Sequence, residues 1–127
     1  MPLELELVPG RFAACRLAPT DKVPAWVPDA GSLVVVARTA HELSIVCDEL
    51  AVPADVRAER GFCAIVVRGP LPFDAIGILA AISSALAGVG VPLLAISTFD
   101  TDYVLVRAER LQETAQGLRE AGHVVQW

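Results

Sequence analysis

The regular spacing of apolar and polar residues is clearest in the second half of the chain. Residues 62–68 form an apolar run rich in valine and isoleucine, which predicts a β-strand. The next segment carries apolar side chains at helical spacing, and this stripe comprises Ile76, Leu79, Ile82 and Leu86. A helix is therefore predicted to begin near Phe73 or Asp74 and to end at Ala87, because Gly88 and Gly90 follow.

Two more strands, a helix and a last strand are predicted in the same half. Strands are expected over residues 92–99 and 102–107, because both segments are apolar and the Asp100-Thr101 pair between them favours a turn. A helix is expected over residues 109–121, with a final strand over residues 123–126. The inner face of that helix carries Leu111, Ala115 and Leu118. The order βαββαβ predicts a ferredoxin-like unit, an antiparallel sheet with both helices on one face.

The first half of the chain has a weaker version of the same pattern. Strands are predicted over residues 3–8 and 11–17, around a Pro9-Gly10 turn, and a further hairpin over residues 33–38 and 42–47. Only one or two helical turns are expected in residues 21–27, and one short turn in residues 53–60. The predicted fold class is therefore α+β, with two tandem ferredoxin-like units. Residues 1–59 would form a degenerate unit and residues 60–127 a complete one.

The segment Ala75 to Ile96 has no charged residue and is long enough to resemble a membrane span. Two glycines and Pro92 interrupt it, however, and paired aromatic and basic anchors are missing from its ends. A helix, a glycine turn and a buried strand explain the segment better. We therefore predict that the protein does not enter a membrane.

The amino-acid composition limits the kinds of partner that the protein can bind and indicates its cellular compartment. Hydrophobic residues make up 54% of the chain and the mean hydropathy is +0.55, a surplus that a subunit interface would cover. The net charge of −5 argues against nucleic acid, which needs a basic surface. The N-terminus has no signal-peptide pattern, and the three cysteines are expected to be reduced, buried thiols. A cytoplasmic protein is predicted.

Two polar segments next to predicted core elements are candidates for ligand binding. The first, Gly69-Pro70-Leu71-Pro72-Phe73-Asp74, joins a strand to a helix, and is either an ordinary turn or a backbone cradle whose N–H groups bind a carboxylate or phosphate. The second, Ser97-Thr98-Phe99-Asp100-Thr101-Asp102, is either a solvated hairpin tip or a site for an ammonium or guanidinium group. Ser97 and Thr98 are expected inside the strand, which favours the binding site.

Motifs for catalysis, metals or cofactors are not apparent in the sequence. Neither a Gly-x-Ser-x-Gly motif nor a P-loop occurs, and an Asp-x-Asp pair without a third ligand is a weak metal signal. His41 and His123 have no metal-ligand spacing around them, and a surface turn is the default for residues 41–44. We therefore predict no catalytic residue, no metal site and no cofactor.

Three segments resemble the paired-ACT family, which includes stand-alone bacterial proteins and the CASTOR arginine sensors. They are Glu42–Cys47, Gly77–Ala80 and, most specifically, Ser97–Val106. The resemblance covers nearly the whole chain, but residues before Glu42 match by pattern alone. It implies a protein that binds an amino acid or a similar effector at an interface between ACT domains. Because the arginine sensors carry four such domains and this chain has two, it also implies a homodimer.

The resemblance also implies which residues contact the ligand. The strand–helix loop from Gly69 to Gly77 would hold the ligand's backbone groups, and Asp102 corresponds to the acidic residue that meets the guanidinium in the arginine sensors. The predicted ligand-binding residues are Gly69, Pro70, Leu71, Phe73, Asp74, Ile76, Gly77, Ser97, Thr98, Thr101, Asp102, Glu42, Leu43 and Ser44. The alternative is a module for protein interaction or assembly that has lost its ligand.

Overall fold

A computed structural model describes residues 2–127, which divide into two compact units. The first, here called the 9–62 unit, comprises Pro9–Phe62. The second, here called the C-terminal unit, comprises residues 2–8 together with Cys63–Trp127. The sequence suggested a division after residue 59, so the units differ from that division mainly in the placement of residues 2–8.

The C-terminal unit contains five strands and both α-helices of the described chain. Its elements are β1 (Glu4–Leu7), the last part of β5 (Ala58–Val67), α1 (Ile78–Gly88), β6 (Leu94–Ser97), β7 (Asp102–Arg107), α2 (Leu111–Glu120) and β8 (Val124–Val125). The sheet order is β8-β1-β5-β7-β6. Strand β1 therefore lies between the first and last strands of the expected βαββαβ unit.

The inserted strand makes this sheet mixed, so the prediction of an all-antiparallel sheet is wrong. Strand β1 runs antiparallel to β5, with Leu5 opposite Val67, and parallel to β8. The backbone N–H groups of Val124 and Gln126 donate to the carbonyls of Leu3 and Leu5 at 2.8 and 2.9 Å. Leu5 is fully buried, so the strand contributes to the core as well as to the hydrogen bonding.

One hydrophobic cluster joins both helices to this sheet. Strands contribute Leu5, Val67, Val104 and Val106, and the helices contribute Ile82, Leu86 and Leu118. Val104 and Val106 are two residues apart on β7 and so point to the same face. The helices therefore cover the face of the sheet that carries these residues.

Helix α1 begins later than its sequence predicts. A turn in which the N–H of Ala75 donates to the Pro72 carbonyl, at 3.0 Å, occupies the expected first turn. Gly77 then caps the helix with φ of +85°, a left-handed conformation that breaks the helical geometry. Ile76 consequently lies outside the apolar stripe and is 96% exposed, and Asp74 is outside the first helical turn. The helix ends at Gly88, one residue after the predicted end at Ala87.

The 9–62 unit is a β-structure around its own small core. It contains β2 (Phe12–Leu17), β3 (Val35–Arg38), β4 (Leu43–Asp48), a 3-10 turn at Glu49–Ala51 and the first part of β5, in the sheet order β3-β4-β2-β5. Its core comprises Ala13, Cys15, Leu43, Ile45, Cys47 and Val52. Within its described residues there is no α-helix, so the helical turns expected in residues 21–27 are not formed. Pro24 and Pro28 interrupt that segment, which forms turns instead.

The uncharged segment that resembles a membrane span is divided by the fold. Its first part forms α1, an 11-residue helix, and its last part contributes the edge strand β6. The prediction of a buried strand is wrong, because among the described strands β6 pairs only with β7 and most of its residues are exposed. Throughout residues 2–127, no helix combines the length and the hydrophobicity needed to cross a membrane.

Candidate functional site

A cavity of about 390 Å³ opens between two loops of the C-terminal unit. On one side lie Leu71, Pro72, Phe73, Ala75 and Gly77, from the loop that joins β5 to α1, together with the first turn of α1. On the other side lies the turn between β6 and β7, residues 97–102. Both candidate segments of the sequence thus line one cavity, although about 25 residues separate them along the chain.

Two hydrogen bonds fix the loop against the hairpin. The Leu71 N–H donates to the Asp100 carbonyl oxygen at 2.7 Å, and the Thr101 hydroxyl donates to the Val67 carbonyl at 2.5 Å. Gly69, whose peptide bond to Pro70 is cis, permits this approach. A Cβ atom on Gly69 would lie 3.0 Å from the Asp100 carbonyl oxygen and 3.3 Å from Thr101 Cβ.

The hairpin tip is held by its own polar side chains. The Thr98 N–H donates to the Thr101 carbonyl at 2.8 Å, and the Ser97 hydroxyl donates to Asp102 Oδ1 at 2.5 Å. Thr98 therefore belongs to the turn, and the expectation that it lies within the strand is wrong. Ser97 lies in β6, as expected, but it is the last residue of that strand. The Ser97 bond orients the Asp102 carboxylate and leaves Oδ2 available to a ligand.

The cavity has a negative side and a partly positive side. Asp100 and Asp102 are its charged lining residues, both on the hairpin. Opposite them lie Ile78, Leu79 and Ala80, the first residues of α1, and no side chain caps this helix. Because the first N–H groups of a helix lack intrahelical partners, this end attracts anions. The arrangement suits a molecule that carries both an ammonium and a carboxylate group.

An exposed aromatic pair stands at the cavity. The rings of Phe73 and Phe99 have centroids 5.3 Å apart and planes tilted by 41°. They are 82% and 81% exposed, which is unusual for phenylalanine. Such a pair offers a flat apolar face, and its π-electrons attract cations.

The structure brings together half of the residues proposed from the sequence. Those that line the cavity are Leu71, Phe73, Gly77, Ser97, Thr98, Thr101 and Asp102. Gly69 and Pro70 lie outside the lining and support the loop. Asp74 is exposed outside the cavity, and Ile76 lines a different one.

The remaining three proposed residues belong to the 9–62 unit. Leu43 is fully buried in the core of that unit, and Ser44 is half-buried on β4. The carbonyl of Glu42 accepts a hydrogen bond from Thr39 N–H at 2.9 Å. A role for Glu42, Leu43 and Ser44 in ligand binding stays a prediction.

Several lining residues were not among the individual ligand-binding residues predicted from the sequence. They are Pro72, Ala75, Ile78, Leu79, Ala80, Phe99 and Asp100. Phe99 and Asp100 lie inside the candidate segment Ser97–Asp102, and an aromatic residue within a polar segment is a signal that could have identified Phe99. The residues of α1 carry no comparable signal, because the late start of the helix is what brings their N–H groups to the cavity.

The three cysteines offer no reactive nucleophile. Cys15, Cys47 and Cys63 are buried, free thiols. Burial, with smaller contributions from the neighbouring Cys15 and Asp48, raises the pKa of Cys47 to about 11. Because the thiolate is the reactive form, Cys47 is chemically inert at neutral pH. In residues 2–127 no group of three or more His, Cys, Asp or Glu side chains is arranged to hold a metal ion.

Solved structures of several proteins resemble the chain over nearly its full length. The protein Atu0741 of Agobacterium tumefaciens is 37% identical, with a TM-score of 0.91, and the match covers 98% of this chain and 92% of that protein. A Vibrio cholerae protein of unknown function, VC0802, described as a possible transport protein, is 22% identical with a TM-score of 0.74, over 94% and 89% of the two chains. The ligand-free regulatory subunit of aspartate kinase from Thermus thermophilus shares the fold at 9% identity and a TM-score of 0.56, over 89% and 93%.

The two halves of the chain match different protein families. No curated protein matches the chain significantly. A family described as an N-terminal domain matches residues 10–55. The ACT domain family matches residues 57–120, which include the loop, the hairpin and the helix that form the cavity. The chain therefore belongs to the ACT domain family.

Proposed function

We propose that this chain is a non-catalytic regulatory protein that binds an amino acid in the cavity between the strand–helix loop and the β6–β7 hairpin. The observation that carries the proposal is the pairing of two carboxylates with the open N-terminus of α1 across one cavity. ACT domains bind small-molecule ligands, often amino acids, and the fold is shared with regulatory subunits of aspartate kinases.

Each polar group of an amino acid has a complement in the cavity. The ligand's ammonium group would bind Asp102, which the Ser97 hydroxyl orients, with Asp100 nearby. The ligand's carboxylate would accept from the first N–H groups of α1. The side chain of the bound amino acid would lie against Phe73 and Phe99. A basic side chain fits best, because the lining acids and the aromatic faces both favour a cation.

A second copy of the chain would complete the site. The cavity is open, and Phe73, Ile76 and Phe99 are each more than 80% exposed beside or near it. Strand β6 pairs within its sheet only with β7, and its residues Leu94–Ser97 carry no charge that would discourage pairing with another strand. We infer a cytoplasmic homodimer in which two C-terminal units meet and cover this surface.

Two finer inferences rest on the sequence. The segment Ser97–Val106 resembles the CASTOR arginine sensors, which supports a basic amino acid as the ligand. We also infer that the 9–62 unit is a degenerate second copy of the ACT fold that has lost its helices. The fold shared with the regulatory subunit of aspartate kinase from Thermus thermophilus extends over 89% of this chain, which supports a second unit of related fold.

A thermal-shift screen of the twenty amino acids tests the proposal. A ligand at about a hundredfold excess over its Kd adds about 2.7 kcal/mol to the free energy of unfolding. The midpoint temperature of thermal unfolding should therefore rise clearly. Sedimentation with and without the ligand should show a dimer. A flat screen with every amino acid would reject amino-acid binding.

The second candidate function is a protein-interaction module without a ligand. The exposed apolar side chains at the cavity favour it, because large exposed apolar patches commonly mark interfaces. If the protein is such a module, no amino acid should raise its melting temperature, and affinity purification should capture one specific partner. Replacing Phe73 and Phe99 with serine would abolish capture of that partner.

A further inference from the structure

Thr101 lies where the β6–β7 hairpin meets the end of β5, one residue before Asp102. Its polar groups all bond within the C-terminal unit. The hydroxyl donates to the Val67 carbonyl at 2.5 Å, the N–H donates to the Thr98 hydroxyl at 3.3 Å, and the carbonyl accepts from the Thr98 N–H at 2.8 Å. Because a hydroxyl has one proton, Thr101 has no donor left for a ligand, although it lines the cavity.

The strand register directs the Val67 carbonyl toward the hairpin. Leu5 of β1 lies opposite Val67, and the next residue, Arg68, donates its N–H to the Glu4 carbonyl at 2.8 Å. The backbone groups of successive strand residues point to opposite sides, so the Val67 carbonyl points away from β1 and toward β7. Thr101 directly precedes β7 and therefore extends the pairing of β5 with β7 by one side-chain bond.

The hairpin is held at two consecutive residues. The Asp100 carbonyl accepts from the Leu71 N–H at 2.7 Å, beside the bond that Thr101 makes. A carbon atom added at Gly69 would lie 3.3 Å from Thr101 Cβ, so this side chain also packs closely against the strand–helix loop. The hairpin cannot move relative to the loop unless these contacts break.

This anchoring sets the position of the Asp102 carboxylate. Asp102 follows Thr101 directly, and its Oδ1 accepts from the Ser97 hydroxyl at 2.5 Å across the hairpin. The unpaired N–H groups at the start of α1, which begins at Ile78, belong to the other side of the same cavity. A ligand that bonds to both sides must match the separation between them, because a preorganised site does not adjust to its ligand.

We propose that Thr101 is a positioning residue of the cavity that binds the amino acid, and that its bond to Val67 makes this cavity select α-amino acids over their β-homologues. An α-amino acid carries its ammonium group and its carboxylate on one carbon, whereas a β-homologue has one more carbon between the two groups. Thr101 acts through Asp102 and does not itself hold the ligand. The inference rests on the proposed function, since it concerns the ligand of the same cavity.

Calorimetric titration of the full chain with L-arginine and with L-β-homoarginine tests this selection. The two probes share the guanidinium group and differ by one methylene group between the ammonium and the carboxylate. One methylene group commonly changes affinity by about 10- to 200-fold, so the natural chain should bind L-arginine at least about tenfold more tightly. Thr101→Val should weaken L-arginine binding by about three- to tenfold and should reduce the ratio of the two Kd values by at least about threefold.

Thr114→Val supplies a matched control. The Thr114 hydroxyl also donates to a backbone carbonyl, that of Arg110, at 2.8 Å, but Thr114 is buried in α2 and does not line the cavity. Both substitutions should lower the melting temperature, and only Thr101→Val should change the Kd ratio. Thr101→Ser keeps the hydroxyl and should keep the ratio of the natural chain.

Amide hydrogen exchange tests the anchoring without a ligand. The Leu71 N–H is bonded to the hairpin, so its exchange reports local opening between the hairpin and the loop. This amide should exchange at least about tenfold faster in Thr101→Val than in Thr114→Val. Equal exchange rates in the two variants would overturn the anchoring role of Thr101.

The titrations separate failure of this inference from failure of the proposed function. If L-arginine binds, three results would overturn the inference alone: equal affinity of the natural chain for both probes, an unchanged Kd ratio in Thr101→Val, or the same change of ratio in Thr114→Val. A ratio in Thr101→Ser as low as that in Thr101→Val would also overturn it. Binding of neither probe would overturn the inference, and the screen of the twenty amino acids then decides whether the proposed function fails as well.

Discussion

The backbone N–H of Leu71 donates to the carbonyl oxygen of Asp100 over 2.7 Å, and this bond joins the strand–helix loop to the β6–β7 hairpin. Gly69 lies against the same carbonyl, where a Cβ atom would approach to 3.0 Å. The close approach of the loop to the hairpin therefore leaves little room for a side chain at position 69.

Gly69→Ala should destabilise the protein by about 1–3 kcal/mol, because the new methyl group forces the loop away from the hairpin. Urea denaturation measures the change in the free energy of unfolding. Gly88→Ala is the control, since a Cβ there meets no atom within 4 Å and alanine favours the helix. Equal stability of the two variants would contradict the close approach at Gly69.

Asp102→Asn should weaken binding of the amino acid identified in the screen by about ten- to a hundredfold, the cost of a lost charge-assisted hydrogen bond of about 1.5–3 kcal/mol. Isothermal titration calorimetry measures the Kd. Asp74→Asn removes the same charge from an exposed residue of the loop that does not line the cavity, and should bind normally. If Asp74→Asn is the weaker binder, the carboxylate assignment is wrong and the original loop prediction is right.

Gly117→Ala tests the close packing of α1 and α2. A methyl group at this buried position would lie 2.9 Å from Val89 Cγ2 and 3.3 Å from the Ala85 carbonyl oxygen. The expected loss is about 1–3 kcal/mol, despite the higher helix propensity of alanine. Adding Val89→Ala to Gly117→Ala should recover part of the loss in a thermal melt. An increase in stability for Gly117→Ala alone would show that the helices are further apart.

Alkaline pH should destabilise the protein through Cys47. Its pKa rises from 9.0 to about 11 on burial, so the neutral thiol stabilises the fold fully below pH 9, and this contribution is lost as the pH rises toward 11. The pKa of Cys15 shifts in the same direction, also through burial. The free energy of unfolding, measured from pH 8 to pH 11, should fall less steeply for Cys47→Ala than for the natural chain. Identical slopes would mean that Cys47 does not titrate in the native state over this range.

Local pattern alone determined most of the C-terminal unit. Strand β7 has the predicted bounds, and α2 differs from its prediction by two residues at its start and one at its end, with Ala115 and Leu118 buried as expected. Alternation and the 3.6-residue period are properties of neighbouring residues, so a single sequence reveals them. The same reasoning separated α1 and β6 within a segment that resembles a membrane span.

Tertiary structure decided where β1 pairs and where α1 begins. Pairing of Leu5 with Val67 joins residues 62 positions apart, and no local period specifies such a partner. The positive φ of Gly77 and the turn at Pro72 displaced the start of α1 by about four residues from the helical pattern.

The candidate site was likewise predictable in part from the sequence, and in part only from the fold. Sequence identified the polar residues of the hairpin and the loop, because carboxylates, hydroxyls and glycines stand out in an apolar chain. Only the fold set Phe73 against Phe99 and brought the N-terminus of α1 to face Asp102. The physical reason is that side-chain chemistry belongs to single residues, whereas a binding site depends on distances between segments that only packing establishes.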